Sequence, residues 1–365
     1  MEAPGPGSAQ GRVYADHGSA TPLHPAARMA LLESPFADPR RLHAEGRLAR
    51  RALDDGLASL AADLGCRPDE LVLTSGLAQS LRWGVRGVRL ARRRLGTRVV
   101  AGATERSEVL EEGVDRVGVD SLGRIDRQAW EAAVAQPGTV LSVLQLANQE
   151  IGTTQSLPVE GAVSLLCDIS AAVSHLDVAT LAATADLCAA WPQLWGGPAG
   201  VGLLVVRTGT RWNPPEPAGP APVPLVVAAA AALRQVTDER DGEAARLRVL
   251  TGRLRSALQA VPDLVVHGDP EHRLPGLVAV SALYVDAEAL VGHLDRAGIA
   301  VDSGSACTSQ VGEPSHVLAA TGALTHGNLR LTLGRTTTAP DVERIAAEVP
   351  RALAAVRDAA GVTGW

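Results

Sequence analysis

The apolar positions of this chain fall at helical spacing in some stretches and into short unbroken runs in others. Between residues 39 and 65, Leu42, Leu48, Leu53, Leu57, Leu60 and Leu64 recur at roughly helical intervals, which predicts an amphipathic helix there. Residues 70–74 read as a short strand. Ser75-Gly76 turns that strand into a helix carrying Arg82, Arg86, Arg89, Arg92, Arg93 and Arg94. A charge run of this kind reads first as a solvated face. Further apolar runs stand at 98–101, 139–146, 164–168 and 202–206. Strands alternating with helices predict a mainly parallel sheet covered on both faces.

Residues 191–200, Trp191-Pro192-Gln193-Leu194-Trp195-Gly196-Gly197-Pro198-Ala199-Gly200, read as a tight turn before the run at 201–206, because glycine and proline punctuate strands in this way. Residues 213–224 (NPPEPAGPAPVP) are proline-rich and predict a loop or semi-rigid spacer, not a helix or central strand. A long helical pattern follows from about 226 to 261, with a charged middle from Asp238 to Glu243 that marks exposure or a bend. Short strands are expected after residue 264, then a helix from Ala287 to Ala297 and a closing amphipathic helix over 341–360. The pattern divides into a mobile tail (1–12), a large domain (13–245, with the proline-rich loop 213–224) and a small C-terminal domain (246–365), without internal repeats.

Composition narrows the function classes. With 365 residues, 46% of them apolar, the chain can bury a sizeable core. A formal charge of −6 argues against a nucleic-acid binder. No uninterrupted apolar stretch reaches the roughly eighteen residues of a membrane span. Residues 1–12 are rich in Gly, Pro and Ala and lack the basic-then-apolar order of a leader, so the expected location is cytoplasmic. Cys66, Cys167, Cys188 and Cys307 show no metal-ligand spacing. Free thiols and no bound metal are expected. All 34 Lys+Arg residues are arginine. A genome biased toward Ala, Arg, Gly and Val accounts for missing surface lysines, but no side chain here can form a lysine Schiff base.

Several segments, in order, resemble the cysteine desulfurases of the class V aminotransferase group, enzymes that take sulfur from cysteine. Tyr14 to Pro22 resembles the family's opening motif, Leu42-His43-Ala44-Glu45-Gly46-Arg47 its Leu-His-x-x-Gly-Arg, and Thr74-Ser75-Gly76 its phosphate turn. Ala147-Asn148-Gln149-Glu150-Ile151-Gly152-Thr153 is similar to its Ala-Asn-Asn-Glu-x-Gly-Thr. Ser303-Gly304-Ser305-Ala306-Cys307 resembles the loop of the sulfur-accepting cysteine, and Glu313 to Leu318 continues it. Leu329 to Arg335 resembles the strand whose arginine, here Arg330, grips the substrate carboxylate. The resemblance spans roughly residues 12–350. It implies an α/β fold: a fold type I PLP-dependent (pyridoxal phosphate) transferase, aspartate aminotransferase-like, with a large mainly parallel-sheet domain and a smaller α+β domain. It also implies a homodimer with its site near the interface; the rewritten loop 213–224 leaves a heterodimer open.

The resemblance also shows what has changed. Where the family reads Ser-x-His-Lys-x-x-Gly-Pro-x-Gly, the lysine that carries PLP is Leu194, the histidine is Gln193 and the serine is Trp191. The threonine of the phosphate turn is Ala78, the histidine that stacks on the ring is Arg106, and the glutamine that touches the ring oxygen is Ala171. The family's Ser-Gly-Thr loop aligns with Ala218-Gly219-Pro220. Charge-assisted hydrogen bonds are worth about 1.5–3 kcal/mol each, so losing several phosphate donors together weakens a cofactor site by orders of magnitude.

Among the residues kept, Asp168 either pairs with a ring nitrogen or caps a turn. Asn148 either touches a ligand or satisfies a loop. Arg330 either grips a carboxylate or sits in an ion pair, and Cys307 is either a persulfide carrier or a relic. Ser75 and Gly76 remain as vestiges of a phosphate site. Glu105, Glu108 and Glu150 offer carboxylates near the same pocket with no evident pairing. His17, His24 and His43 read as solvated or structural.

The expectation drawn is a desulfurase fold that has lost PLP-dependent catalysis and binds no cofactor. It would act as a pseudoenzyme partner or scaffold in sulfur metabolism, pairing with an active desulfurase or a sulfur acceptor. The alternatives are a PLP-independent sulfur relay through a Cys307 persulfide, and a rebuilt pocket, with or without noncovalent PLP, acting on a small amino or carboxylic acid.

Overall fold

The structure is a computed structural model that describes residues 11–158, 163–217, 219–304 and 314–362. In chain order its strands are β1 (Val13–Tyr14), β2 (Leu71–Thr74), β3 (Arg98–Gly102), β4 (Asp115–Val117), β5 (Thr139–Val143), β6 (Ser164–Asp168), β7 (Leu187–Ala190), β8 (Gly202–Val206), β9 (Leu264–Val266), β10 (Leu277–Ala282), β11 (Ile299–Ala300) and β12 (Asn328–Thr332). Seven of them form one sheet in the order β2-β8-β7-β6-β5-β3-β4. From β4 to β7 neighbours run parallel, whereas β8 is antiparallel to both β7 and β2. Parallel strands need covered faces, and the side chains meet that need. Leu166 and Leu187 join a cluster with Leu77 and Leu81 on one face, while Leu165, Cys167 and Cys188 join the other.

The amphipathic helix expected in the first stretch is Ala44–Leu64, ended by Gly65 in the left-handed region at φ 67°. The arginine-rich helix is Leu77–Arg92, and its arginines are paired: Arg82 with Glu111 (3.1 Å) and Arg86 with Glu112 (2.7 Å). Strand β7 gave no strand signal in the sequence. Its Leu-Cys-Ala-Ala lacks the β-branched residues that mark strands, yet all four residues are buried.

The long helix spans Val223–Gln259 without a break. Its charged middle therefore marks exposure and not a bend. Val226, Ala229 and Leu233 pack beneath the large sheet. Leu247, Leu250, Leu254 and Leu258 enter a second core with Val342, Ile345 and Val349 of the closing helix, Ala339–Ala359. Position 245 lies inside the long helix. The proline-rich stretch is not wholly outside it, since Val223 and Pro224 occupy its first turn, where the missing N–H has no intrahelical partner to lose.

The second core is closed by the antiparallel order β12-β10-β9. A parallel pairing of β1 with β11 ties the N-terminal segment to it. Among the described residues, no helix is long and apolar enough to cross a membrane, and Cys66, Cys167 and Cys188 are free thiols. Cys307 lies outside the described residues.

Candidate functional site

Ligands of open α/β sheets sit beyond the carboxyl ends of the strands, and the residues singled out from sequence gather there. Arg106 follows β3, Asn148 follows β5, Asp168 ends β6, and Leu194 lies in the turn Pro192–Trp195 after β7. Leu194 is 8% exposed. Its carbonyl accepts from Ser174 Oγ at 2.9 Å and Thr21 Oγ1 at 3.2 Å. Trp195 is fully buried and donates Nε1–H to the carbonyl of Ala229 on the long helix at 3.1 Å. Gly196, at φ 78°, closes the turn. An aliphatic side chain thus occupies a buried position, at the wall of a cavity, where the resemblance puts an amine.

Asp168 is spoken for. Its Oδ2 accepts from Arg106 Nε at 2.6 Å and its Oδ1 from the Ser170 N–H at 2.8 Å. The paired side chains are 4% and 10% exposed. The arginine that replaces the ring-stacking histidine therefore supplies the positive partner of the aspartate from within the chain. At the phosphate turn, the Ser75 N–H donates to Gln79 Oε1 at 2.7 Å, and Thr74 Oγ1 lies 2.7 Å from Ser80 Oγ. Ala78 brings no hydroxyl. Trp191 packs on the apolar cluster of Leu77 and Leu81.

Asn148 is also engaged. Its Oδ1 accepts the N–H groups of Glu150 and Ile151, both at 2.8 Å, and its Nδ2 donates to the Thr104 carbonyl at 3.2 Å. Arg330 is buried in an ion-pair cluster. Its Nη2 contacts Asp302, lies 3.5 Å from Asp16 Oδ1, and donates to Ser19 Oγ at 2.6 Å. Ala171, half-buried, lines a cavity with Leu194 and His175 and brings no polar group. Cys307 and the rest of its loop, 305–313, lie outside the described residues, as does Ala218.

A polar pocket of about 140 Å³ opens beside the Arg106–Asp168 pair, lined by Glu105, Arg106, Glu108, Asn148, Glu150 and His316 among others. Burial pushes Glu105 well above the ordinary carboxyl range, against the Gln145 N–H that its Oε1 accepts at 2.8 Å. Burial raises Glu150 to about 7, although Ser315 Oγ donates to it and Arg330 is near. The sequence supplied these carboxylates but not their desolvation, which depends on the walls around them. His316, which the sequence analysis did not single out, places Nε2 2.8 Å from the Glu105 carbonyl. Its position inside the Glu313–Leu318 motif was the available signal. His24 and His43 are structural as expected: each Nδ1 caps a helix, accepting from Ala26 and Gly46 N–H at 3.2 Å.

The aminotransferase class-V family model matches residues 40–221 and 216–345. A cysteine desulfurase IscS of Dictyoglomus turgidum is 30% identical, covering 90% of this chain and 91% of that protein. An IscS-like cysteine desulfurase of Mycobacterium tuberculosis is 32% identical over 95% and 98%. Among solved structures, a NifS-like protein superposes with a TM-score of 0.85 at 23% identity, over 94% of this chain and 99% of that one. An apo cysteine desulfurase of Thermococcus onnurineus gives 0.80 at 18% identity, over 93% and 94%.

These matches overturn the expectation that the chain takes no cofactor. It aligns nearly end to end with desulfurases of a pyridoxal-phosphate family, so PLP is the cofactor its relationships imply. The residues present do not fit PLP held in the family's manner. The chain has no lysine, Asp168 is closed by Arg106, and one N–H of the phosphate turn is taken by Gln79. With a family model matched along most of its length and desulfurase relatives along nearly all of it, the chain belongs to the aminotransferase class-V family, among its NifS- and IscS-like cysteine desulfurases.

Proposed function

We propose that this member of the family has lost the lysine-dependent release of sulfur from cysteine and serves as a cytoplasmic, non-catalytic partner or scaffold of sulfur metabolism. The observation that carries the reading is the pair of replacements at the strand ends. Leu194 is buried where a nucleophilic amine would stand, and Arg106 is paired with Asp168. A leucine offers neither a covalent anchor nor a proton shuttle.

Exposed large apolar side chains gather in the sequence between residues 29 and 48. Leu32 is 75% exposed, Phe36 91% and Leu42 87%, with Met29 and Leu48 beside them in sequence. An apolar surface gathered in one segment marks an association site, which fits a homodimer or a heterodimer with an active desulfurase. Mixing the chain with an IscS-like desulfurase tests this role. A heterodimer on size-exclusion chromatography with a changed sulfide rate supports it. Elution as separate homodimers with an unchanged rate opposes it.

A second reading draws on the polar pocket. Glu150, raised to about 7, and Arg106 would suit proton transfer on a small amino or carboxylic acid. A thermal-shift screen of such acids that finds stabilisation lost in Glu150→Gln favours this reading, and a flat screen removes it.

A further inference from the structure

The second half of the long helix carries positive charge that its own sequence does not balance. Residues 244–262 include Arg246, Arg248, Arg253 and Arg255 and no acidic residue. Arg246 is paired with Glu243 at 2.7 Å, whereas the other three have no ion pair among the described residues. Arg248 and Arg255, seven residues apart, share one helix face with Gly252 between them. The segment 268–276 crosses the helix here, since Thr251 Oγ1 donates to the Pro275 carbonyl at 2.6 Å. That segment brings a third arginine, Arg273, also without an ion pair among the described residues. Arg248, Arg255 and Arg273 line neither the polar pocket nor the cavity beside Leu194.

The three guanidinium groups repel one another. Arg255 is 8% exposed and donates Nη1–H to the His267 carbonyl at 3.0 Å. Arg273 donates Nε–H to the Pro270 carbonyl at 3.1 Å, and its Nη1 is buried with no hydrogen bond among the described residues. Burial, then the charge of Arg273, lowers the proton affinity of Arg255; burial, then the charge of Arg248, lowers that of Arg273. The carboxylate that acts on Arg255, Asp269, is held by Arg124 and by the N–H groups of Glu271 and His272 at 2.9 and 3.0 Å. Glu271 is exposed, and its charge acts on Arg124. Buried charges are normally paired, so this cluster calls for a counter-ion.

Gly252 leaves room for one. Glycine inside a helix is destabilising relative to alanine, and close packing does not require it here: a Cβ added at Gly252 would meet no atom within 4 Å. Open space therefore lies on the helix face between Arg248 and Arg255, beside the segment that carries Arg273. Guanidinium groups are planar forks that match carboxylate and phosphate oxygens. Three of them, from two turns of one helix and a neighbouring segment, suit a tetrahedral anion better than a flat one, because it presents oxygens in several directions. A phosphate group also carries close to two negative charges near pH 7, where a carboxylate carries one.

We propose that Arg248, Arg255 and Arg273 bind the phosphate group of a small molecule over Gly252. The site is separate from the strand ends and does not depend on the loss of sulfur release. The full-length chain is titrated by calorimetry with inorganic phosphate, glycerol 3-phosphate and acetate, near pH 7 and at constant ionic strength. The expected result is saturable binding of a phosphate compound, about tenfold or more tighter than acetate. The tighter of the two distinguishes free phosphate from a monoester. Arg273→Gln is expected to weaken binding about tenfold or more, as the loss of one charge-assisted hydrogen bond does. Gly252→Glu places a carboxylate four residues after Arg248 and three before Arg255, where it can pair with both. It is expected to abolish phosphate binding and to melt higher than Gly252→Gln, which has the same bulk without the charge. Four results would overturn the proposal: no saturable binding of either phosphate compound; acetate bound as tightly; binding undiminished in both Arg273→Gln and Gly252→Glu; or Gly252→Glu melting no higher than Gly252→Gln.

Discussion

Replacing Arg106 by leucine probes the Arg106–Asp168 pair directly. It removes the charged donor 2.6 Å from a carboxylate that is 4% exposed and leaves that carboxylate one hydrogen bond, from the Ser170 N–H. Removing one member of a buried ion pair costs about 3–5 kcal/mol. The surviving N–H and the pocket beside the pair place this case near the lower end, about 3 kcal/mol. Changing Asp168 to asparagine as well removes the stranded charge, so the double variant should be more stable than Arg106→Leu alone, with a coupling of about 2 kcal/mol. Urea unfolding followed by tryptophan fluorescence measures all four corners of the cycle, provided the m-values agree. The reasoning fails if Arg106→Leu costs less than about 1 kcal/mol, or if the single effects add in the double variant within about 0.5 kcal/mol.

Three further outcomes are expected. Glu150, at about 7 in the fold against 4.5 as a free side chain, binds its proton more tightly folded than unfolded. Its contribution is therefore fully present below pH 4.5 and lost as pH rises toward 7, by about 3 kcal/mol at most; Glu150→Gln should flatten that slope in urea titrations, and an unchanged slope would refute the assignment. Trp195→Phe removes the hydrogen bond to Ala229 and should cost about 1–2 kcal/mol, with loss of the buried, blue-shifted part of the emission; a change below measurement error would contradict it. Leu194→Lys would bury an amine in a cavity whose carboxylates are Glu239, exposed, and Glu243, already held by Arg246, so the variant should lose about 2 kcal/mol or more at pH 7 and regain it as pH rises toward 10. Equal stability of variant and parent at pH 7 would refute the burial described for this turn.

Much of the fold was legible because strong periodicity and turn chemistry agreed. The helix Ala44–Leu64 follows its leucines and ends at Gly65, and the strands Ser164–Asp168 and Gly202–Val206 follow their apolar runs. Where tertiary burial alone decides, the sequence was silent. Leu187–Ala190 is a central strand made of small residues whose place comes from its neighbours. The candidate site divides the same way. Leu194, Arg106 and Asp168 could be named from an ordered set of motifs, but that Arg106 reaches Asp168 depends on how the β3 and β6 ends are spaced. The His17 ring's lack of a hydrogen bond among the described residues and the raised proton affinity of Glu150 come from walls built by distant segments. For the cofactor, missing ligand side chains say only how PLP is no longer held, whereas the chain's relationships imply PLP itself.

The central claim is that lysine-dependent sulfur release has gone. The most direct measurement is sulfide formed from cysteine by the purified chain with added PLP and a thiol reductant, set against free PLP alone and against an active desulfurase. The account predicts sulfide no greater than free PLP produces. Sulfide that rises in proportion to this protein, over many turnovers, and falls on Asp168→Ala would contradict it.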